Sequence, residues 1–124
     1  FKQKTAYEIP KRDWSSDVCS SDLGAAIALA TDFNPGTSPA VNLPLMLTLG
    51  VSQLRLCVAE ALLAATVNGA AALGLAERTG QLVPGMSADL ALFAIDDIRE
   101  LPYWYGDQRC VRSWVRGIAC HGAP

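Results

Sequence analysis

Residues 25–30, Ala25-Ala26-Ile27-Ala28-Leu29-Ala30, run straight into Thr31-Asp32-Phe33-Asn34-Pro35-Gly36-Thr37-Ser38, and this junction constrains the chain most. An apolar run without alternation predicts a short buried strand over residues 25–31, of the kind found inside a parallel sheet. Pro35 and Gly36 then demand a tight turn, and Thr37 and Ser38 suit a helix N-cap that leaves backbone N–H groups facing an anion. One carboxylate, Asp32, is thereby delivered to the carboxyl end of a strand, where α/β sheets present catalytic and metal-binding acids. These residue types fit an enzyme site but do not name a reaction. On the residues alone, Asp32 reads equally as a plain N-cap or loop acid. Asn34 also reads as an Asx-turn former only, and Gly36 and Thr37 as merely structural.

Downstream, apolar spacing predicts a helix over residues 43–56, weakened at Gly50 by about 1 kcal/mol relative to Ala. A second, Ala-rich helix is predicted over residues 58–73, with Asn68-Gly69 as a kink or division and Gly74 as its C-cap. Glu60, three residues after Cys57, supplies half of a capping box whose hydroxyl partner is absent. Leu82-Val83-Pro84-Gly85 predicts a strand entering a turn, and residues 89–95 a strongly apolar strand. Residues 111–115 alternate, turn at Arg116-Gly117 and return over residues 118–120. The order strand, helix, helix, several strands marks an α/β chain: the last unit of a barrel followed by part of a small β domain. A parallel strand needs neighbours on both edges and helices on both faces. The chain is therefore expected to be the C-terminal piece of a larger fold.

Charge and cysteine usage narrow the function classes. Residues 24–124 carry six Arg against eight Asp and Glu, and every Lys lies before them. The whole chain has a net charge of −2, which argues against nucleic acid or an anionic membrane surface as partner. Its most apolar stretches are interrupted by Asp32, Asn42, Gln53, Arg55 and Glu60, too often for a bilayer span. With no secretory signal, a cytoplasmic location is expected. Cys57, Cys110 and Cys120 are odd in number and irregular in spacing, so neither a zinc ribbon nor a disulfide framework follows. They are expected to be small buried apolar residues in a reducing compartment. His121, the only histidine, is expected to hold no metal. Arg109, Arg112 and Arg116 read as a solvated face.

Residues 1–23 resemble the translation of oligonucleotide adapters used in DNA sequencing. Lys2-Gln3-Lys4-Thr5-Ala6-Tyr7-Glu8-Ile9 and Asp13-Trp14-Ser15-Ser16-Asp17-Val18-Cys19-Ser20-Ser21-Asp22-Leu23 match in the right order and frame. The segment is excluded from the fold, as a fusion scar would be. Lacking a hydrophobic period, it is expected to be disordered.

From Gly24 onward the chain resembles the C-terminal portion of the imidazolonepropionases, metal-dependent amidohydrolases of histidine degradation. Gly80-Gln81-Leu82-Val83-Pro84-Gly85-Met86-Ser87-Ala88-Asp89-Leu90 is similar to the segment joining barrel and β domain in many amidohydrolases. More specific are Asp32-Phe33-Asn34-Pro35-Gly36-Thr37-Ser38 with Leu43-Pro44-Leu45-Met46, and the aromatic segment Pro102-Tyr103-Trp104-Tyr105-Gly106. The resemblance implies a (β/α)8 barrel with a β-sandwich built from both chain ends. Residues 24–78 would then be the last barrel strand and following helices, and residues 79–124 part of the sandwich. Tyr103, Trp104 and Tyr105 would pack the one against the other. It implies one Zn2+ or Fe3+ held by three His and the Asp of the last strand, matched by Asp32, which also serves catalysis. Asn34, Gly36 and Thr37 match the positions that contact substrate or product. The implied reaction is hydrolysis of the ring C–N bond of 4-imidazolone-5-propanoate to N-formimidoyl-L-glutamate, in a homodimeric parent. No His precedes Asp32, and one carboxylate cannot hold Zn2+ usefully. This polypeptide alone is expected to bind no metal stoichiometrically and to be inactive. Two other readings stay open: another amidohydrolase, such as a cyclic-amidine deaminase or an imidase, and a non-catalytic α/β module binding a partner through its strand edges.

Overall fold

A computed structural model describes residues 24–121; the expectation for residues 1–23 lies outside them. Four helices and three strands follow in the order α1 (Leu43–Ser52), α2 (Val58–Ala65), α3 (Val67–Ala72), β1 (Leu90–Phe93), α4 (Glu100–Tyr103), β2 (Cys110–Val115) and β3 (Ile118–His121). The result is a mixed helix-and-strand chain, with the helices gathered first and the strands last.

Residues 25–31 do not form the expected strand: they belong to no ladder among the described residues. A strand exists by pairing, and their neighbours are helices. The Leu29 N–H donates to the Ala64 carbonyl at 3.0 Å. Asn68 Nδ2 donates to the Ile27 carbonyl at 2.8 Å. The segment nonetheless keeps a two-residue period, with Ile27, Leu29 and Thr31 half-buried and Ala26, Ala28 and Ala30 exposed.

Helix α1 opens at Leu43, where the apolar spacing predicts, but neither Thr37 nor Ser38 caps it. Asn42 is its N-cap, accepting from the Leu45 N–H at 3.1 Å, and Pro44 occupies the first turn, where a missing N–H costs nothing. The helix stops at Ser52, short of residue 56, and Arg55 takes a left-handed φ of 58°. In α2, Cys57 and Glu60 complete a capping box after all. Glu60 Oε2 accepts from the Cys57 N–H at 2.7 Å, and the Cys57 sulfur accepts from the Glu60 N–H at 3.5 Å. A thiol thus stands where a hydroxyl was expected. The long helix is divided, but at Thr66 (φ −118°, ψ −84°), whose hydroxyl bonds back to the Leu62 carbonyl at 2.6 Å. Asn68 and Gly69 lie inside α3. Gly74, with φ 70°, closes α3 as expected. Leu75 N bonds to the Ala70 carbonyl and Gly74 N to the Ala71 carbonyl, the paired bonds of a Schellman stop.

The turn at Pro84-Gly85 forms, closed by Met86 N to the Val83 carbonyl at 3.2 Å, but no strand precedes it. β1, β2 and β3 make an antiparallel sheet in that order. Arg116 (φ 51°) and Gly117 (φ 79°) form the two-residue hairpin turn. That turn is docked on the start of β1: Arg116 N donates to Asp89 Oδ1 at 2.8 Å and Gly117 N to the Ala88 carbonyl at 3.0 Å.

The core lies on the helical side. Leu47, Leu56, Ala61 and Leu101 are buried together, with Ile27, Leu29, Val51, Leu62, Phe93 and Ile95 packed against them. Short helix α4, which the sequence did not suggest, fixes Leu101 there. Its Pro102 carbonyl accepts from the Thr48 hydroxyl of α1 at 2.5 Å. Cys57 and Cys120 are exposed and Cys110 only partly covered, against the expectation of burial. Cys57 is a cap and Cys120 sits on a strand with nothing over it, so neither has an apolar wall to enter.

Candidate functional site

Residues 31–38 fold back on themselves as a closed turn, and it brings Asp32, Asn34, Gly36 and Thr37 together. Asn34 N donates to the Ser38 carbonyl at 2.9 Å, pairing these residues in an isolated antiparallel bridge. Ser38 Oγ donates to the Thr31 carbonyl at 2.7 Å. Between those two ties stands Asp32, at a φ of 49°. A left-handed backbone is uncommon for any residue with a Cβ, and Asp is among the few that adopt it.

The amide of Asn34 organises the interior of the turn. Its Oδ1 accepts from the Gly36 N–H at 3.0 Å and the Thr37 N–H at 2.8 Å. Thr37 Oγ1 lies 3.2 Å from that oxygen and 3.1 Å from Asn34 Nδ2, so the hydroxyl can serve either partner. Nδ2 also donates to the Asp32 carbonyl at 2.7 Å. Three donors therefore converge on one point, as in a backbone nest for an anion, and a neutral amide oxygen fills it. The expected helix mouth is not the source of these donors, since α1 begins at Leu43.

Asp32 differs from its neighbours. It is exposed, and among the described residues the one side-chain contact to its carboxylate is Asn34 Nδ2 at 3.5 Å, too long to engage it fully. The exposed carboxylate is a hard oxygen donor. That suits one position on a divalent or trivalent cation and does not make a site by itself. Among the described residues no three His, Cys, Asp or Glu side chains cluster in a way that could hold an ion.

Elsewhere, a cavity of about 330 Å3 opens between the start of α1 and the segment after α4, walled by Asn42, Phe93, Leu101, Trp104, Asp107 and Arg109. None of the four turn residues lines it. Arg109, expected to be solvated, lies with its guanidinium 4.9 Å above the Trp104 ring and pairs with Asp107 at 3.0 Å. Tyr103 and Trp104 meet edge to face at 4.8 Å and, like Tyr105, remain exposed. The Pro-Tyr-x-Tyr-Gly segment signalled an aromatic cluster, but nothing in it signalled a cavity. Two acids outside both places are perturbed. The Arg99 guanidinium, and then the Arg99 N–H, hold the Asp97 carboxyl at about 2. The Arg116 N–H, then the Ser87 side chain, lower that of Asp89.

Comparison with known proteins supplies what the turn alone does not. The profile of the amidohydrolase family matches residues 21–118. The imidazolonepropionase of Solibacter usitatus is 48% identical over 94 residues, covering 76% of this chain and 22% of that protein. That of Chloroflexus aggregans is 45% identical over 96 residues, 77% of this chain and 22% of the relative. That of Geobacillus thermodenitrificans is 48% identical over 85 residues, 68% and 20% respectively. The chain spans about a fifth of the length of these curated relatives.

Proposed function

We propose, for a chain that belongs to the amidohydrolase family, that it forms the closing part of a metal-dependent hydrolase acting on 4-imidazolone-5-propanoate. The product is N-formimidoyl-L-glutamate. The observation that carries this reading is the closed turn with an exposed carboxylate, within the segment that the amidohydrolase profile matches. In this reading residues 24–78 complete a (β/α)8 barrel and residues 79–124 join a β-sandwich, in a cytoplasmic homodimer. The pairing that residues 25–31 lack here would come from neighbouring barrel strands.

Asp32 would help hold Zn2+ or Fe3+ through its carboxylate, with the remaining donors from elsewhere in the subunit. A bound ion would supply a water acidic enough to deprotonate near pH 7. The Asp32 carboxylate would accept a proton and return it to the leaving ring nitrogen. The Gly36 N–H and the Thr37 N–H and hydroxyl donate to substrate oxygen at the point that Asn34 Oδ1 occupies. The Asn34 amide swings out as the substrate enters, offering both a donor and an acceptor to the ring.

A chimera tests this: residues 24–121 replace the matching segment of the Solibacter usitatus enzyme. We expect hydrolysis of 4-imidazolone-5-propanoate and about one metal per subunit. Asp32→Asn should lower turnover by about a hundredfold or more, since even residues behind the ligands change metal affinity or activity by 10–100-fold. A chimera that folds and hydrolyses a different cyclic amide instead would assign the chain to another amidohydrolase branch. Unchanged turnover in Asp32→Asn would remove the acid from the mechanism.

A further inference from the structure

We infer that Ser38 is a positioning residue for Asp32, an inference that rests on the proposed role of that acid. Ser38 makes two bonds that bracket Asp32 on either side. Its hydroxyl holds the Thr31 carbonyl at 2.7 Å, and its own carbonyl holds the Asn34 N–H at 2.9 Å. The residue before the acid and the residue two after it are thus tied to the same serine.

This tie is different in kind from the rest of the turn. Among the described residues, every other side-chain bond within the turn spans two or three positions, whereas Ser38 to Thr31 spans seven. The short bonds shape the tip; the long one joins the tip to the incoming segment. It is also half-buried, so the Thr31 carbonyl would lose a partner that water replaces poorly. Asp32 needs such support because its φ of 49° is disfavoured for a side-chain-bearing residue and persists only where surroundings enforce it. Pro39 adds to the constraint, since the residue preceding a proline is biased away from helical and toward extended backbone. Loss of the hydroxyl frees Asp32 to relax its backbone, and the carboxylate then leaves the direction in which it would meet a cation.

The test compares Ser38→Ala, Ser38→Thr and Asp32→Asn in the same chimera. Metal affinity is measured by chelator competition, and kcat and KM at saturating metal. Hydrogen-exchange mass spectrometry of residues 31–38 is run on the metal-free protein. Ser38→Ala should weaken metal affinity and lower kcat by about tenfold each with KM within about twofold, in the range known for groups that orient metal ligands. Exchange at residues 31–38 should quicken about tenfold in that variant, and Ser38→Thr, which keeps the hydroxyl, should restore all three. If Asp32→Asn destroys metal binding while Ser38→Ala changes it less than about twofold, the inference about Ser38 fails and the reading of Asp32 stands. If Asp32→Asn leaves metal affinity intact, both fail. A Ser38→Ala chimera that does not fold also overturns the inference, because the bond would then hold the fold and not the acid.

Discussion

The helices and the sheet of this chain solve the same problem unequally. α1, α2, α4 and the α1–α2 loop share buried Leu47, Ala61, Leu101 and Leu56, and the helix ends are closed by Asn42, by the Cys57–Glu60 box and, after α3, by Gly74. The sheet has no buried residue among its described positions, and Leu92 and Ile118 stand 52% and 71% exposed. It touches the core only at the end of β1, through Phe93 and the following Ile95. Helices satisfy their backbone internally and need one covered stripe, whereas a three-stranded sheet leaves two edges and two faces to be covered by something else. Local order in the sheet comes instead from polar ties, Arg116 to Asp89 and Gly117 to Ala88.

Truncation should expose that inequality most sharply. Leu56 is 4% exposed, so Leu56→Ala should cost about 2–5 kcal/mol, the range for emptying a packed site. Leu92→Ala, at a half-exposed position of the sheet, should stay within about 0.5 kcal/mol. Urea denaturation followed by far-UV circular dichroism measures both. Equal costs would mean that the sheet buries more than its accessibility indicates, and the contrast would be lost.

The seam between the two regions gives a smaller effect. Gly80 crosses α3 at φ 97°, and a Cβ there would lie 2.8 Å from the Ala70 Cβ and 3.0 Å from the Thr66 carbonyl oxygen. Neither neighbour is the flexible end of a long side chain, so backbone must move. Gly80→Ala should therefore destabilise by about 1–3 kcal/mol, the cost of overpacking and of a disfavoured φ. Measured by the same urea unfolding, a neutral result would show that the seam is loose and that helices and sheet move independently.

How much of this was legible beforehand depended on whether the cause was local. The Gly74 stop, the Arg116-Gly117 hairpin and the Pro84-Gly85 turn follow from residues within a few positions of one another, and all are present. Residues 25–31 form no ladder among the described residues because strand pairing depends on distant partners, although Ile27 and Leu29 do turn inward. The α1 start at Leu43 agrees with the apolar spacing, but Thr37 and Ser38 do not cap it: the Asn34 amide engages the Thr37 N–H and hydroxyl, and Asn42 caps instead. Helix α4 is a single turn, Glu100-Leu101-Pro102-Tyr103, with a Pro inside it, too short to be signalled by periodicity, and it is docked on α1. In the candidate site, the tight turn was readable from Pro35 and Gly36, whereas the grouping of Asp32 with Asn34, Gly36 and Thr37 was implied by the family resemblance. That Asn34 fills the anion position was not, because an Asx turn and a ligand contact ask for the same residue.

The smallest effect tests whether the helical region is as well closed as its caps suggest. Cys57 accepts the Glu60 N–H at 3.5 Å through sulfur, a weak acceptor, whereas the Glu60 half of the box, at 2.7 Å, is strong. Cys57→Ser puts a better acceptor on a shorter bond at an exposed position, where neither side chain has packing to lose. It should stabilise α2 by about 0.5 kcal/mol, and Cys57→Ala should cost about the same, the low end of the range for N-cap replacements. Both are read as shifts in the urea midpoint at constant slope. The order Ser, Cys, Ala would show a thiol doing a hydroxyl's work at reduced strength; identical midpoints would mean that Glu60 alone holds the start of α2 and that the sulfur contributes nothing to the stability that sets helices apart from sheet.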